Sequence, residues 1–216
     1  MAIIVPTITT NDKNLYARQH QIYSAFTKRI QVDICDGIFA PTLLMDESNA
    51  WRQPDWAEMD LHMMVMNPSQ HLPTILKIKP SLCIFHAEAN ENLLPIFATL
   101  KQAGIKTGVA ILKQTYPGNI APYIEAVDHV LIFAGKLGQQ GGVADMLQTE
   151  KVPIIRSIKS EVEIGWDGGA NMQNARALAH SNIDVINVGS AIATSPNPAK
   201  MYADLTAELE KNGVVI

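Results

Sequence analysis

The chain has 216 residues, of which 47% are hydrophobic and 18% charged, so it can bury one sizeable core and is not expected to be disordered. Its formal charge of −4, with no block of lysine or arginine, argues against nucleic acid or an anionic membrane as the main partner. The N-terminus has no positive leader, and no apolar stretch approaches the roughly 20 residues that span a bilayer. Composition therefore predicts a soluble cytoplasmic protein in which local groups hold any anionic ligand.

Short apolar runs alternate with amphipathic segments along the chain, and no linker divides it. Asn90 to Ala103 and Pro198 to Lys211 are predicted helices with one apolar face. Prolines and tryptophans interrupt the pattern between Ala40 and Glu58, which predicts a poor second helix or an extended loop. We expect an α/β fold, a single-domain (β/α)8 TIM barrel over residues 1–216, with a doubly wound open sheet as the alternative. The predicted strands are Ile3–Pro6, Arg29–Ile34, Asp60–Val65, Leu82–His86, Thr107–Leu112, His129–Phe133, Glu163–Asp167 and Val185–Val188.

Two aspartates, Asp33 and Asp167, lie at the ends of predicted strands and beside or near glycine. In a (β/α)8 barrel the active site forms at the C-terminal ends of the strands, so both carboxylates are expected there. Two carboxylates across one substrate can remove a proton from one face of a carbon and return it to the other. Alternation along strands two and three places Gln31 on the same face as Asp33, and Asp60 on the same face as His62. The first and fourth strands also end in polar residues, Thr7-Ile8-Thr9-Thr10 and His86-Ala87-Glu88.

A histidine in an apolar run is usually a hydrogen-bonded core residue, and that would explain His62 or His86 taken singly. An interior that also holds Asp33 and Asp167 requires mutual pairing, a metal ion or a ligand, because buried carboxylates without partners are costly. We interpret the remaining histidines as surface or structural residues, and the two cysteines as buried reduced thiols. Asp36 is expected to accept hydrogen bonds from the turn that follows it. Those histidines and cysteines are His20, His71, His129, His180, Cys35 and Cys83.

Glycines follow the last three predicted strands and offer backbone N–H groups to an anion. Any one pair is explained equally well by a tight turn between strand and helix. Three pairs on neighbouring loops instead indicate a phosphate site, since barrels of this kind commonly bind phosphate after strands seven and eight. The pairs are Gly141-Gly142, Gly168-Gly169 and Gly189-Ser190.

Six motifs follow one another in a fixed order along almost the whole chain. They are Pro6-Thr7-Ile8, Asp33-Ile34-Cys35-Asp36-Gly37-Ile38-Phe39-Ala40-Pro41, Asp60-Leu61-His62-Met63-Met64-Val65, Phe85-His86-Ala87-Glu88-Ala89, Asp167-Gly168-Gly169 and Gly189-Ser190-Ala191-Ile192. Their order resembles that of the ribulose-phosphate 3-epimerase family. The resemblance implies a ribulose-phosphate-binding barrel that interconverts D-ribulose 5-phosphate and D-xylulose 5-phosphate in the pentose phosphate pathway, and it also implies a homo-oligomer.

The same resemblance implies roles for individual residues. Asp33 and Asp167 would exchange the proton at C3 through a metal-stabilised enediolate. Thr10 occupies the position of a serine that contacts substrate in the family, and Met64 is one of its substrate-capping methionines. The remaining substrate-binding residues would be His62, Gly142, Gly168, Gly169, Gly189 and Ser190.

The metal site departs from the family pattern at one position. The family holds its metal with two histidines and two aspartates, and Gln31 replaces the first histidine, which leaves Asp33, His62 and Asp167. An amide oxygen is a poorer zinc ligand than imidazole, so zinc, a harder ion such as magnesium or manganese, and no ion at all stay open.

Two other functions are compatible with the same fold. A sugar-phosphate-binding protein without catalysis would keep the phosphate loops and lose the metal. A decarboxylase or aldolase of the same superfamily would need an Asp-x-Lys-x-x-Asp pattern on strand three, and Asp60-Leu61-His62-Met63-Met64-Val65 lacks its lysine and second acid.

Overall fold

The computed structural model describes residues 2–51 and 54–211. Within these ranges eight parallel strands form a closed barrel, in which β1 pairs with both β2 and β8. The predicted TIM barrel is confirmed, and the doubly wound alternative is wrong because an open sheet would leave β1 and β8 unpaired with each other. The strands are β1 Ile3–Ile8, β2 Arg29–Cys35, β3 Glu58–Met64, β4 Leu82–His86, β5 Lys106–Ile111, β6 His129–Phe133, β7 Glu163–Asp167 and β8 Val185–Val188.

Helices cover the outside of the barrel and begin where capping residues or prolines allow. Asp12 accepts hydrogen bonds from the backbone of Asn14 and Leu15 at the start of α1. Asn197 caps α8 in the same way through the backbone of Lys200. The helix predicted from Asn90 begins later, at Leu94, with Pro95 in its first turn. The α-helices are α1 Lys13–Ser24, α2 Leu72–Ile78, α3 Leu94–Gln102, α4 Ala121–Ala126, α5 Lys151–Ile158, α6 Ala175–His180, α7 Ser190–Ala193 and α8 Pro198–Leu209.

The segment between β2 and β3 is irregular, as the sequence predicts. Its described residues contain one short 3-10 turn, Glu47–Asn49, and no α-helix. Asp36 begins this segment, and its carboxylate accepts hydrogen bonds from the backbone of Ile38 and Phe39, both at 2.8 Å. The predicted role of Asp36 in the turn is therefore confirmed. No helix in the described ranges is long and apolar enough to cross a membrane.

The barrel interior consists of two polar regions with an apolar cluster between them. At the N-terminal ends of the strands, Arg29 donates to Asp60 on β3 and reaches across to Glu163 on β7. Leu82, Ile84, Ala110 and Leu131 form a buried apolar cluster above this network. The second polar region lies at the C-terminal ends of the strands, where the site predicted from sequence is expected. The inward side chains alternate with outward ones that pack beneath the helices, which is why each strand is apolar on its outer face.

Candidate active site

The two predicted aspartates are neighbours at the C-terminal end of the barrel. Asp33 projects from β2 and Asp167 from the last position of β7, and ligand atoms of both lie within 4.8 Å of one another. The side-chain amide of Gln31 lies between them, donating to Asp33 Oδ1 at 3.0 Å and to Asp167 Oδ2. Gln31 therefore holds the two carboxylates together from below.

His62 on β3 completes this group. Its Nδ1 lies 3.1 Å from Asp33 Oδ1 and 3.5 Å from Asp167 Oδ2. Burial lowers the pKa of His62, but its hydrogen bond to Asp33 and the charges of both aspartates outweigh burial and raise it overall. Burial and the neighbouring Asp33 charge raise the pKa of Asp167 to about 7. One proton can therefore be retained within the group near neutral pH, which is what acid and base chemistry by two carboxylates requires.

Thr9 is a member of the site that the sequence analysis did not select. Its hydroxyl donates to Asp33 Oδ2 at 2.6 Å. Thr10, the position matched to the family's substrate-contacting serine, instead accepts a hydrogen bond from the backbone of Asp12 at 3.0 Å. Register explains the difference: Thr7 pairs with Gln31, so Thr9, two residues on, shares the inner face with Asp33.

A second histidine and a glutamate extend the site from β4. His86 Nε2 lies 2.9 Å from His62 Nε2, and His86 Nδ1 lies 3.5 Å from Glu88 Oε2. Burial lowers the pKa of His86 to about 4. Burial acts to raise the pKa of Glu88, but hydrogen bonds from His86, Thr115 and the Leu112 backbone outweigh it and lower the pKa overall. Near neutral pH, His86 is a neutral imidazole beside an ionised carboxylate.

Aromatic rings close one side of the two imidazoles. The Phe133 ring centroid lies 5.7 Å from that of His62 and 5.8 Å from that of His86. Phe39, which belongs to the irregular segment after β2, packs against His86 with its ring centroid 4.7 Å from that of the imidazole. These rings keep water from the histidines and hold both imidazoles in fixed orientations.

The acidic group opens into a cleft at the C-terminal ends of the strands. Its walls combine Asp33, Asp167 and Met64 with backbone from the loops after β6, β7 and β8. Gly168, Gly169, Gly189 and Ser190 line this cleft, as the sequence analysis predicts, and Gly141 lines it as well. Gly142 lies on the same loop after β6 and is not one of the residues that line the cleft.

Two of these glycines are required by close backbone approach. Gly168 has φ +125°, and a Cβ on it would collide with the backbone of Gly135. Gly169 has φ +70°, and its Cβ would collide with the backbone of Ala144. The loop after β7 therefore packs directly on the loop after β6, leaving backbone exposed to the cleft.

The acidic group also has the composition of a cation site. Asp33, His62 and Asp167 supply two carboxylates and one imidazole, all within 4.8 Å. Donors around an ion at ordinary zinc bond lengths lie about 3.4 Å apart, close to the separations of 3.1 and 3.5 Å made by His62 Nδ1. A half-turn of the Gln31 amide would present its oxygen to the same position. These residues fit a divalent cation.

Comparison with known proteins agrees with this geometry. The fold and site define a (β/α)8 barrel with paired carboxylates at the catalytic end, and the solved orotidine 5'-phosphate decarboxylase of Pyrococcus horikoshii OT3 shares this fold. It superimposes with a TM-score of 0.69 at 15% identity, covering 97% of this chain and 100% of that one. The sequence model of the Ribulose-phosphate 3 epimerase family matches residues 3–193. The chain belongs to the ribulose-phosphate 3-epimerase family.

Two curated members of the family are similar to this chain over nearly their whole length. The cytoplasmic isoform of ribulose-phosphate 3-epimerase from Oryza sativa subsp. japonica is 27% identical, with 97% of this chain and 95% of the relative aligned. Ribulose-phosphate 3-epimerase from Schizosaccharomyces pombe is 26% identical at the same coverage. The predicted family is thus confirmed, and the protein is an isomerase of the carbohydrate-epimerase type.

Other residues of the cleft received no role in the sequence analysis. Thr7, which was named only as part of the polar end of the first strand, lines the cleft together with Gln140 and Asn187. Gln140 extends from the loop after β6 and donates to the backbone oxygen of Thr7 at 3.3 Å. Strand alternation could have found Thr7, because it shares a face with Thr9. Nothing in the sequence indicates that the Gln140 side chain turns back over β1.

Proposed function

We propose that the protein interconverts D-ribulose 5-phosphate and D-xylulose 5-phosphate, with Asp33 and Asp167 as the catalytic residues. The observation that carries this proposal is the placement of both carboxylates in one cleft, within 4.8 Å of each other and bridged by Gln31. Family membership supports the reaction class, and the cleft brings both carboxylates together with the glycine loops after β7 and β8.

The reaction requires one base and one acid on opposite faces of C3. Asp33 accepts hydrogen bonds from Thr9 and Gln31, and His62 Nδ1 lies 3.1 Å from its Oδ1, which suits a carboxylate that receives a proton. In one direction Asp33 takes the C3 proton, the electron pair moves into the C2–C3 bond, and the C2 oxygen becomes negative. Asp167, whose raised pKa favours its protonated form, then gives its proton to the other face of C3. The reverse direction exchanges the two roles.

His62 and its neighbours stabilise the negative charge that develops on the substrate. His62 projects between the aspartates, and its raised pKa favours a positive imidazolium there. A divalent cation held by Asp33, His62 and Asp167 would require a neutral His62 with a lone pair on Nδ1, and the cation would then supply the positive charge in place of the imidazolium. Zinc, magnesium and manganese are the candidate ions, and the Gln31 amide in place of an imidazole favours the harder two.

The substrate phosphate would bind to backbone N–H groups at the far side of the cleft. Gly168, Gly169, Gly189 and Ser190 line it there, and no lysine other than Lys136 does so among the described residues. Backbone amides can hold an anion without a dedicated cation. We propose that Gly142 on the adjoining loop and Thr10, next to Thr9, also bind the substrate. A cytoplasmic location and a homo-oligomer are part of the same proposal.

Deuterium exchange tests the reaction. Incubation with D-ribulose 5-phosphate in deuterated water is expected to place deuterium at C3 and to form D-xylulose 5-phosphate. Asp33→Asn and Asp167→Asn should each lower kcat by about 10²–10⁴-fold, since each removes one proton-transfer group. Both events are measured by proton NMR of the sugar phosphates.

A surface carboxylate supplies the matched control for these variants. Asp204 on α8 pairs with Lys200 far from the cleft, so Asp204→Asn should retain full activity. Binding of the ester without any exchange at C3, with magnesium, manganese and zinc each supplied, would contradict the proposal and indicate a binding protein.

A further inference from the structure

His86 and Glu88, from the motif after β4, take no part in the proposed proton transfer. They nevertheless contact the residues proposed for it, because Glu88 lies beside His86 and His86 lies beside His62. Glu88 Oε1 accepts a hydrogen bond from the Leu112 backbone N–H at 2.9 Å and another from the Thr115 hydroxyl. A backbone N–H can only donate, so this oxygen is fixed as an acceptor. The other oxygen, Oε2, is directed at His86.

The contact between Glu88 and His86 determines which ring nitrogen of His86 carries its proton. His86 Nδ1 and Glu88 Oε2 are both buried and lie 3.5 Å apart, and neither has a hydrogen-bond partner in the part of the chain that the structure describes, so each is the nearest polar group available to satisfy the other. A carboxylate oxygen can only accept, so the proton of His86 belongs on Nδ1. His86 Nε2 is then left with a lone pair.

That lone pair in turn fixes the neighbouring imidazole. His62 Nε2 and His86 Nε2 lie 2.9 Å apart, a distance that requires one hydrogen between the two nitrogens. Because His86 Nε2 accepts, His62 Nε2 must donate. His62 Nδ1, which faces Asp33 and Asp167, is thereby left to exchange a proton with them or to bind a cation.

We propose that Glu88 and His86 are positioning residues that hold a proton on His62 Nε2 and so direct Nδ1 of His62 to the two aspartates. In this arrangement Glu88 and His86 would not contact a bound cation themselves. They would orient the imidazole of His62, which does. Its consequence for turnover rests on the proposed function, whereas its effect on the imidazole protons does not.

Glu88→Gln tests the proposal because it reverses the expected direction of proton donation from residue 88 through His86 to His62. Leu112 N–H and the Thr115 hydroxyl will select the amide oxygen of the new side chain, so its NH₂ group will face His86 Nδ1. His86 must then accept at Nδ1 and donate from Nε2, and His62 must accept at Nε2 and carry its proton on Nδ1. The substitution preserves shape, and Glu91→Gln in the same loop is the matched control.

The primary measurement is long-range proton–nitrogen correlation NMR of the histidine rings in chelator-treated protein. We expect His62 Nε2 to be protonated in the parent and in Glu91→Gln, and to lose its proton in Glu88→Gln. A parent with unprotonated His62 Nε2, or a Glu88→Gln protein that keeps this proton, would overturn the proposal. Should Glu88→Gln fail to fold, His86→Phe keeps the ring volume and removes the acceptor, and both His62 tautomers should then be populated. A His62 that stays protonated on Nε2 alone in His86→Phe would equally overturn the proposal.

Two further measurements separate positioning from packing. Manganese titration should show affinity about 10–100-fold weaker in Glu88→Gln, because Nδ1 no longer offers a lone pair. The kcat for exchange at C3 should fall over a similar range while KM stays unchanged, since neither residue touches the cleft. If Asp33→Asn left exchange intact, the proposed function would fail, yet the ring spectra would still decide the role of Glu88.

Discussion

Gln31 stands where the resemblance to the family places a metal-binding histidine. Its amide contacts Asp33 and Asp167, the two carboxylates proposed as catalytic, so it occupies the position from which a second imidazole would approach a cation. An amide cannot titrate and binds zinc poorly, whereas its NH₂ group stabilises carboxylates by hydrogen bonds. The site is therefore held together in the absence of an ion.

Replacement of this amide should change the preference of the site for ions. We predict that Gln31→His binds zinc about stoichiometrically, because an imidazole completes a set of two histidines and two aspartates. Metal analysis of purified protein, before and after chelator treatment, measures the change. Gln31→Met, which has similar length but no strong ligand, is the control and should not gain zinc. Equal zinc content in the parent and in Gln31→His would show that the amide already suffices.

At the scale of elements, the loops after β6 and β7 set the shape of the cleft. They approach so closely that Gly168 faces the Gly135 backbone with no room for a side chain. Gly168 and Gly169 of the β7 loop line the cleft. The packing of two loops on each other thus prepares the surface proposed for phosphate.

A comparison of alanine substitutions at Gly168 and Gly104 should distinguish the cost of backbone strain from the cost of steric collision. In Gly168→Ala the new Cβ would be strained by the left-handed φ and would also collide with the Gly135 backbone. We therefore expect the unfolding free energy to fall by clearly more than it would from the φ strain alone. At Gly104, φ is +77° and an added Cβ would have no atom within 4 Å, so Gly104→Ala introduces only the φ strain. Its unfolding free energy should fall by about 1–2 kcal/mol. Urea denaturation of both variants measures the difference. Similar losses would mean that the two loops can move apart.

Most of these elements could be predicted from sequence because apolar alternation is a strong signal in a buried parallel strand. Four of the eight predicted strands, Leu82–His86, His129–Phe133, Glu163–Asp167 and Val185–Val188, agree with the structure at both ends. Helix ends were less predictable: α3 starts at Leu94, four residues after the predicted start, because Asn92 and Pro95 define the turn. Local polar contacts determine where a helix begins, and the hydrophobic periodicity of the sequence does not reveal these contacts.

The candidate site could be predicted in part for the same reason. Asp33, His62 and Asp167 follow from strand ends and are brought together by the barrel. The sequence analysis listed His86 and Glu88, but their contact with His62 depends on side-chain orientation across two strands. Thr9 and Gln140 depend on register and on loop conformation, which a single sequence does not specify.

At the scale of the whole molecule, the ion network at the N-terminal ends of the strands joins opposite sides of the barrel. Arg29 contacts Asp60 at 2.6 Å and Glu163 at 2.8 Å, and His129 contacts Glu163 at 2.7 Å. Burial acts against ionisation of Glu163, but the hydrogen bonds from His129 and Arg29 outweigh it and hold its pKa well below the ordinary value. Burial raises the pKa of Asp60 despite its contact with Arg29.

This network should make stability depend on acid pH. A carboxyl whose pKa is lower in the folded state contributes fully above its unfolded pKa, about 4.5, and loses that contribution as pH falls below it. We predict that Glu163→Gln is less stable than the parent near pH 7 and that the difference narrows below about pH 4.5. Urea denaturation between pH 7 and pH 3 measures it. Glu161→Gln, an exposed neighbour, should show no such convergence, and a parent-to-Glu163→Gln difference independent of pH would contradict the prediction.

The apolar cluster of Leu82, Ile84, Ala110 and Leu131 keeps this network apart from the catalytic end. Because the two polar groups share no hydrogen-bond partner in the described chain, their mutational free energies are expected to add. Sequence change at one end can then accumulate without disturbing the other. Such independence means that residues at the C-terminal ends of the strands, Gln31 among them, can be exchanged while the ion network around Arg29 continues to stabilise the barrel.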